Sequence, residues 1–465
     1  VTPLPEGFGL DLDRSVRTFC DGTILVGGHP GRLITLTREG VAALGSLMAG
    51  EPTTEAGRLL GRRLVDAGMA HPRRTTSSDG LANRFDATIV VPVYNRPDGL
   101  ERCLTALGTT HPIVVIDDAS DNPDEVARIC EHHGVRFVRR RVNGGPAAAR
   151  NTALDSVTTE LIAFVDSDCR VTDGWLERLL WLFDDPEIAA VAPRVRPDRP
   201  TGGPDRWLAR FADTHSPLDM GQDPSDVAPH RAVRYVPAAA LVVRREALAT
   251  GFESDLRVGE DVDLVWRLVD QGWRVRYEPS AIVFHQEPMT WGTTLARRFR
   301  YGTSAAALSN RHPGRLAPVE LRLFPTIAAL ALLSGRRGTA FGVTVTSIVI
   351  TSARVGDRGI PLGQIARWNL ETTGWTMVGI GKAATILAGP ALGWAVFRSH
   401  RARGAVAILL LAPPLVEWWR KRPGLDPLRW TAASIADDVS YGMGVWAGCI
   451  LSRTFDPLLP AFTAG

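Results

Sequence analysis

LIAFVDSD, residues 161–168, is an apolar run that stops on two carboxylates one residue apart. Asp and Ser are ordinary turn residues where a strand leaves a core, so an isolated D-S-D reads as a surface turn. Its neighbours decide the matter. Across residues 86–300, Val/Ile/Leu-rich runs alternate with amphipathic stretches. ATIVVPVY, HPIVVIDDAS, VRFVRRR and LIAFVDSD read as strands, and RPDGLERCLTAL, NPDEVARICEHHG and GGPAAARNTALDSV as helices. That alternation predicts an α/β unit with a mostly parallel sheet between helices. In such sheets ligands bind beyond the carboxyl ends of the strands. Asn95, Asp117, Asp118, Asp166 and Asp168 all fall there, so one sheet edge collects them.

The chain has 465 residues, long enough for two or three domains. Hydrophobic residues make up 45% and charged residues 22%, a globular balance. A net charge of +3 gives no footing for nucleic acid. Arginines gather at 139–141, at 297, 298 and 300, and at 401–422 with Lys421; guanidinium forks suit phosphates and anionic headgroups, or form a solvated face. The five cysteines show no CxxC spacing, which fits a reducing cytoplasmic setting without a disulfide framework. The first residues show no basic region followed by an apolar one, so a secretory signal is not expected.

Two further regions flank the α/β unit. Residues 1–80 hold two short alternating strands around GGHPG, then two helical stretches, a small winged-helix-like pattern. HPRRTTSSDGLANR, residues 71–84, reads as a linker. Residues 310–465 turn small and apolar, yet Arg, Lys or Pro interrupts each run, so no span of about 20 apolar residues is expected. Residues 375–397 come closest, broken mainly by Lys382, and Trp418–Arg422 has the make-up of an interfacial anchor. A helical bundle and association with the inner face of the membrane both suit this region.

A nucleotide sugar presents a base, a ribose, a diphosphate and an anomeric carbon. Carboxylates at strand ends can accept from base or ribose, and with a divalent cation they can neutralise a diphosphate leaving group. GEDVDLVWRLVDQG, residues 259–272, adds Glu260, Asp261 and Asp263 in the first turn of an amphipathic helix. Acids there are also favoured by the helix dipole alone.

TIVVPVYNRP, IVVIDDASDN, RVNGGPAAARN, FVDSD and GEDVDLVWRLVDQGWRVRYEPSAIVFHQ, in this order, resemble the family 2 glycosyltransferases of the GT-A fold. The resemblance implies an inverting hexosyltransferase. It places Asp118 on the nucleotide base, Asp166 and Asp168 on metal and ribose, His285 in the metal shell, and Asp261 as catalytic base with Glu260 beside it. Donor contacts are implied for Pro92, Tyr94, Asn95, Arg96, Asp117, Asn143, Gly144, Gly145, Arg150, Ser167 and, in ARRFRYG, Arg298. The match of ARRFRYG to the Q-x-x-R-W of processive synthases is poor. The flanks LPEGFGLDLDRSVR, VGGHPGRLITLT and LVDAGMAHP narrow the resemblance to the glycosyltransferases of mycofactocin systems. That narrower family implies UDP-glucose as donor, Mn2+ or Mg2+ as cofactor, premycofactocin as acceptor and a β-1,4-linked glucan as product. Residues 1–80 are also similar to the small winged-helix peptide-recognition domains of peptide-modifying pathways, which implies a role in holding a biosynthetic partner or the peptide-derived acceptor. An enzyme building an envelope glycan on a lipid carrier is the competing expectation.

Overall fold

The computed structural model describes residues 2–75, 85–198, 206–356, 358–398 and 403–463. The chain divides into two compact units, residues 1–199 with 216–287, and residues 200–215 with 288–465.

The first unit opens with β1 (Phe8–Leu12), β2 (Arg17–Phe19), β3 (Ile24–Gly27), β4 (Arg32–Thr35), α1 (Arg38–Ala49), α2 (Glu55–Asp66) and β5 (Ala70–Arg74). Thr37 and Thr54 cap the two helices by accepting from the backbone N–H of Gly40 and Gly57, and Gly50 ends α1 in the left-handed region. Strands β2, β3 and β4 form an antiparallel sheet. β5 pairs antiparallel with β1. The linker reading is thereby corrected at its start: residues 70–74 are a strand, because β1 offers them a partner that was not legible in the sequence. Residues 76–84 of that stretch lie outside the described residues.

The α/β part follows as β6 (Ala87–Val93), α3 (Pro97–Leu107), β7 (Ile113–Asp117), α4 (Pro123–His132), β8 (Arg136–Arg139), α5 (Pro146–Leu154), β9 (Leu161–Val165), β10 (Cys169–Val171), α6 (Glu177–Leu180) and β11 (Ile188–Asp198). After α7 (Arg206–His215), which belongs to the second unit, come β12 (Ser225–Asp226), β13 (Ala240–Arg244), α8 (Glu260–Asp270) and β14 (Arg274–Gln286). The strand order is β10-β14-β11-β13-β9-β6-β7-β8, with β12 on β14. Pairing is parallel across β8-β7-β6-β9 and between β11 and β14, whereas β13, β10 and β12 run antiparallel to their neighbours. Burial on both faces explains the near-continuous apolar runs in the sequence: every residue of β6, β7 and β9 is buried.

The N-terminal strands and helices are fastened to this sheet by arginines. Arg62 is almost wholly buried and donates to Asp185 at 2.6 Å. Arg274 donates to Glu187 at 2.7 Å and also pairs with Asp66. Arg231 donates to the carbonyls of His29 and Asp66, and Phe8 packs against Trp181 at 5.2 Å between ring centroids.

The second unit contains α7, α9 (Trp291–Arg311), β15 (Glu320–Arg322), α10 (Leu323–Leu333), α11 (Arg337–Val355), α12 (Leu362–Arg398), α13 (Arg403–Lys421), α14 (Pro427–Ser452) and β16 (Ala461–Thr463). Gly302, Gly444 and Gly448 let α9 and α14 touch backbone to backbone: a Cβ on Gly302 would fall 2.1 Å from the Tyr441 carbonyl. The interrupted apolar runs form longer helices than their composition suggested. Both α11 and residues 362–397 of α12 are long and apolar enough to cross a membrane by length and composition. The charges expected to stop them, such as Lys382, are carried within the helix, and Lys382 lies 3.9 Å from Asp438 on α14.

Candidate active site

The acids converge because β6, β7 and β9 all end at one edge. Asp117, the last residue of β7, is 0% exposed; its Oδ1 accepts from the Ser120 N–H at 3.0 Å, and Arg139 Nε lies 3.8 Å from Oδ2. Next to it, Asp118 closes a clasp. Its carboxylate accepts from the backbone N–H of Gly144 at 3.0 Å and of Gly145 at 2.7 Å and pairs with Arg140, while its carbonyl accepts from Asn143 Nδ2 at 3.2 Å. Gly145 has φ +86 and a Cβ on Gly144 would lie 2.7 Å from the Ala148 Cβ, so this turn into α5 requires both glycines. Arg257 donates to Asn143 at 2.9 Å from the other side of the turn.

Asn95, in the left-handed region at φ +52, leaves β6 with Tyr94 exposed beside it. Its side chain exchanges two hydrogen bonds with Asp121, at 2.9 and 2.8 Å, and its backbone N–H donates to Ser120 Oγ. Pro92 stays inside the strand and is buried.

The D-S-D turn lies behind α3. Ser167 is buried, and a Cβ on Gly99 would come 2.9 Å from its carbonyl, so the helix rests directly on the turn. Asp168 receives Arg96 at 2.7 Å on Oδ2 and lies 3.5 Å from His285 Nε2 on Oδ1. The β10–β14 register brings this about by pairing Cys169 with His285. Asp166 accepts from Arg150 at 2.7 Å.

Arg150 joins the two acid motifs. It is 2% exposed, donates to Asp166 and, at 2.9 Å, to Glu260, and lies over the Phe252 ring at 5.3 Å. Glu260 begins α8 after Gly259, whose φ of +88 lets the chain turn into the helix. Burial, and then the charge of Asp261, pushes the Glu260 carboxyl up to about 7. Among the described residues Asp261 accepts from backbone groups only, Val262 N–H at 2.8 Å and Ala238 N–H at 3.3 Å, and burial raises its carboxyl too. Burial also raises Asp166; Arg150 opposes this and Asp168 adds to it.

The residues expected from sequence thus form, in the first unit, the clasp (Asp117, Asp118, Asn143, Gly144, Gly145), the turn (Arg96, Asp166, Ser167, Asp168, His285) and the base motif (Glu260, Asp261), with Arg150 between the last two and Pro92, Tyr94 and Asn95 at the end of β6. Arg298 lies in the second unit, where it donates to Asp437 at 2.9 Å under the Tyr441 ring. Sequence reading missed Phe252, Arg257 and Glu287, the last 3.8 Å from His285 Nδ1. Arg139 and Arg140 were legible only as part of a charge run, and that run was the signal.

Residues 88–251 match the model for glycosyl transferase family 2. The pre-mycofactocin glycosyltransferase of Mycobacterium tuberculosis is 37% identical, covering 99% of this chain and 98% of its own. Glycosyltransferase AglE of Haloferax volcanii is 26% identical over 46% of this chain and 71% of its own. A solved mannosyltransferase of Pyrobaculum calidifontis, in complex with GDP-Man and Mn2+, is 21% identical over 71% of this chain and 87% of its own, at a TM-score of 0.39. The chain belongs to glycosyl transferase family 2, in the branch of the pre-mycofactocin glycosyltransferases. It is a glycosyltransferase whose sheet unit has the GT-A fold.

Proposed function

We propose that the protein transfers glucose from UDP-glucose to premycofactocin, with inversion, and extends the product as a β-1,4-linked glucan. The observation that carries this reading is the 37% identity to the Mycobacterium tuberculosis protein from end to end. The joined acid motifs supply the chemistry. Asp261 is the general base: its carboxylate accepts from two backbone amides, and its raised proton affinity suits removal of a proton from an acceptor hydroxyl. Glu260, tied to Arg150, orients the start of α8 instead. Attack on the anomeric carbon from the face opposite the diphosphate gives inversion and requires no covalent intermediate.

The donor would lie along the clasp and the turn, with Asp117 and Asp118 toward the base, Tyr94, Asn95 and the Gly144–Gly145 turn along the nucleotide, and Arg96 toward the phosphates. Asp166, Asp168 and His285 fit a divalent ion such as Mn2+ or Mg2+: carboxylate oxygens are the donors these ions prefer, and Arg96 now supplies positive charge to Asp168, with His285 Nε2 3.5 Å away. Such an ion supplies charge neutralisation for the departing diphosphate. Residues 1–80 would present the peptide-derived acceptor or a biosynthetic partner.

One observation favours a second reading. Phe341, Trp394 and Phe397 of α11 and α12 are 73%, 60% and 84% exposed, which suits contact with the cytoplasmic face of a membrane and a lipid-linked envelope acceptor. The deciding experiment measures UDP release from UDP-glucose with purified premycofactocin, with and without Mn2+, followed by mass analysis. Stepwise hexose addition abolished by EDTA supports the first reading. Metal-dependent donor binding with no transfer to premycofactocin, but transfer to a lipid extract, supports the second.

A further inference from the structure

Away from the sheet edge, α3 and α4 present a second set of ligating side chains. Successive β6-α3-β7-α4-β8 crossovers move in one direction along the parallel sheet, which places both helices on the same face. Glu101 on α3 and His132 and His133 at the end of α4 meet at their seam, and their ligating atoms all lie within 4.8 Å of one another.

Neighbouring residues inside a helix point about 100° apart and do not share a ligand. Here His133, the cap that follows α4, keeps right-handed helical angles (φ −86, ψ −2), so it is the side-chain torsions that bring the consecutive rings together, while Gly134, at φ +63, turns the chain away beyond them. Their centroids are 5.2 Å apart and their planes nearly perpendicular, at 83°. His133 Nε2 lies 2.9 Å from Glu101 Oε1, so a proton now occupies the line between two groups that both bind metals. Side-chain exposures of 43% for Glu101 and 18% for His133 leave the pair reachable from solvent.

We propose that Glu101, His132 and His133 form a binding site for a divalent transition-metal ion of the zinc class, bridging α3 and α4. Two imidazoles and a carboxylate, with water completing the shell, are the ligand set of an open zinc site. Bonds of about 2.0–2.2 Å in tetrahedral geometry need ligating atoms roughly 3.3–3.5 Å apart, a closure that side-chain rotation supplies. The chemistry also separates this site from the D-S-D turn, whose carboxylates favour Mn2+ and Mg2+, because imidazole pairs favour zinc, cobalt, nickel and copper. Since α3 rests on the D-S-D turn through Gly99, an ion joining α3 to α4 stiffens the support of that turn.

The test is calorimetric titration of the full chain with Zn2+, without donor or Mn2+, alongside the visible spectrum with Co2+. The wild type binds one Zn2+ that raises its Tm, and Co2+ gives the spectrum of nitrogen and oxygen ligands. His132→Ala, at an exposed position, and Glu101→Gln each weaken Zn2+ by at least the roughly 10–100-fold seen for lesser changes around metal sites. His132→Ala combined with His133→Ala abolishes binding. An Asp166→Asn, Asp168→Asn variant retains it and loses only Mn2+-dependent donor binding, so failure here is distinct from failure of the transferase reading. Zinc affinity unchanged by His132→Ala and Glu101→Gln, or a wild type with no zinc heat and no Co2+ spectrum, overturns the proposal.

Discussion

The two units place opposite kinds of side chain where solvent does not usually leave them. The first buries charge: Arg62, Arg150, Asp117 and Asp263 are nearly inaccessible, and each sits among groups of opposite sign. The second exposes apolar bulk along α11 and α12 and orders its charge pairs, such as Arg298 with Asp437, on the packed helices α9 and α14. Buried charge is costly unless paired, and exposed apolar area is costly in water, so each arrangement indicates a task. In the first unit the proposed task is gathering acids at a sheet edge for the transfer chemistry. In the second, the proposed task is contact with a membrane surface.

The sharpest way to break this contrast is Arg150→Met. Removing the cation shared by Asp166 and Glu260 leaves two carboxylates without it, and the unfolding free energy is expected to fall by about 3–5 kcal/mol in urea titration. A change below about 1 kcal/mol, as for surface pairs, would mean that the pairing is incidental. Asp261→Asn comes next. Transfer is expected to drop by roughly 100-fold or more while UDP-glucose affinity, measured by calorimetry, stays within a factor of about two. Unchanged turnover would remove Asp261 from the chemistry.

The second unit is tested by Phe341→Ser with Phe397→Ser. Burial of a Phe is worth about 1.5–3 kcal/mol, so sedimentation with anionic vesicles is expected to weaken at least tenfold, and no vesicle binding by the wild type would end the membrane reading. The smallest effect is on pH dependence. The Glu260 carboxyl is raised from 4.5 to about 7 in the fold, so its contribution to stability is complete below pH 4.5 and is lost as pH rises through about 7. Glu260→Gln is expected to flatten thermal stability over that window; an unaltered slope would assign it to other groups.

Much of the first unit was legible because two-sided burial writes itself as unbroken apolar runs. Strands β6, β7 and β9 and the acids after them came from that signal alone. What the sequence concealed depends on contacts far apart in the chain. Nothing in FGLDL indicates that Ala70–Arg74 will pair with it, and nothing near Arg150 indicates that Glu260, 110 residues on, will share its guanidinium. Asp118 was legible as a strand-end acid, but its occupation by the Gly144 and Gly145 amides arises from tertiary approach. In the second unit small apolar residues leave the period weak, so helix existence was readable and helix length was not.

Arg62 and Arg274 bear on how this enzyme can be divided. A boundary drawn near residue 80 from composition separates segments, but Arg62 reaches Asp185 and Arg274 reaches back to Asp66 across it. Cutting there strips Asp185 and Trp181 of their cover, so a truncated transferase fails through exposed seams whether or not the missing piece recognises anything. Residues 2–75 are fastened to the sheet of the first unit by these contacts. The recognition role proposed for them is accessible only through substitutions on their outward side, and a fragment lacking them is an unsound starting point for engineering.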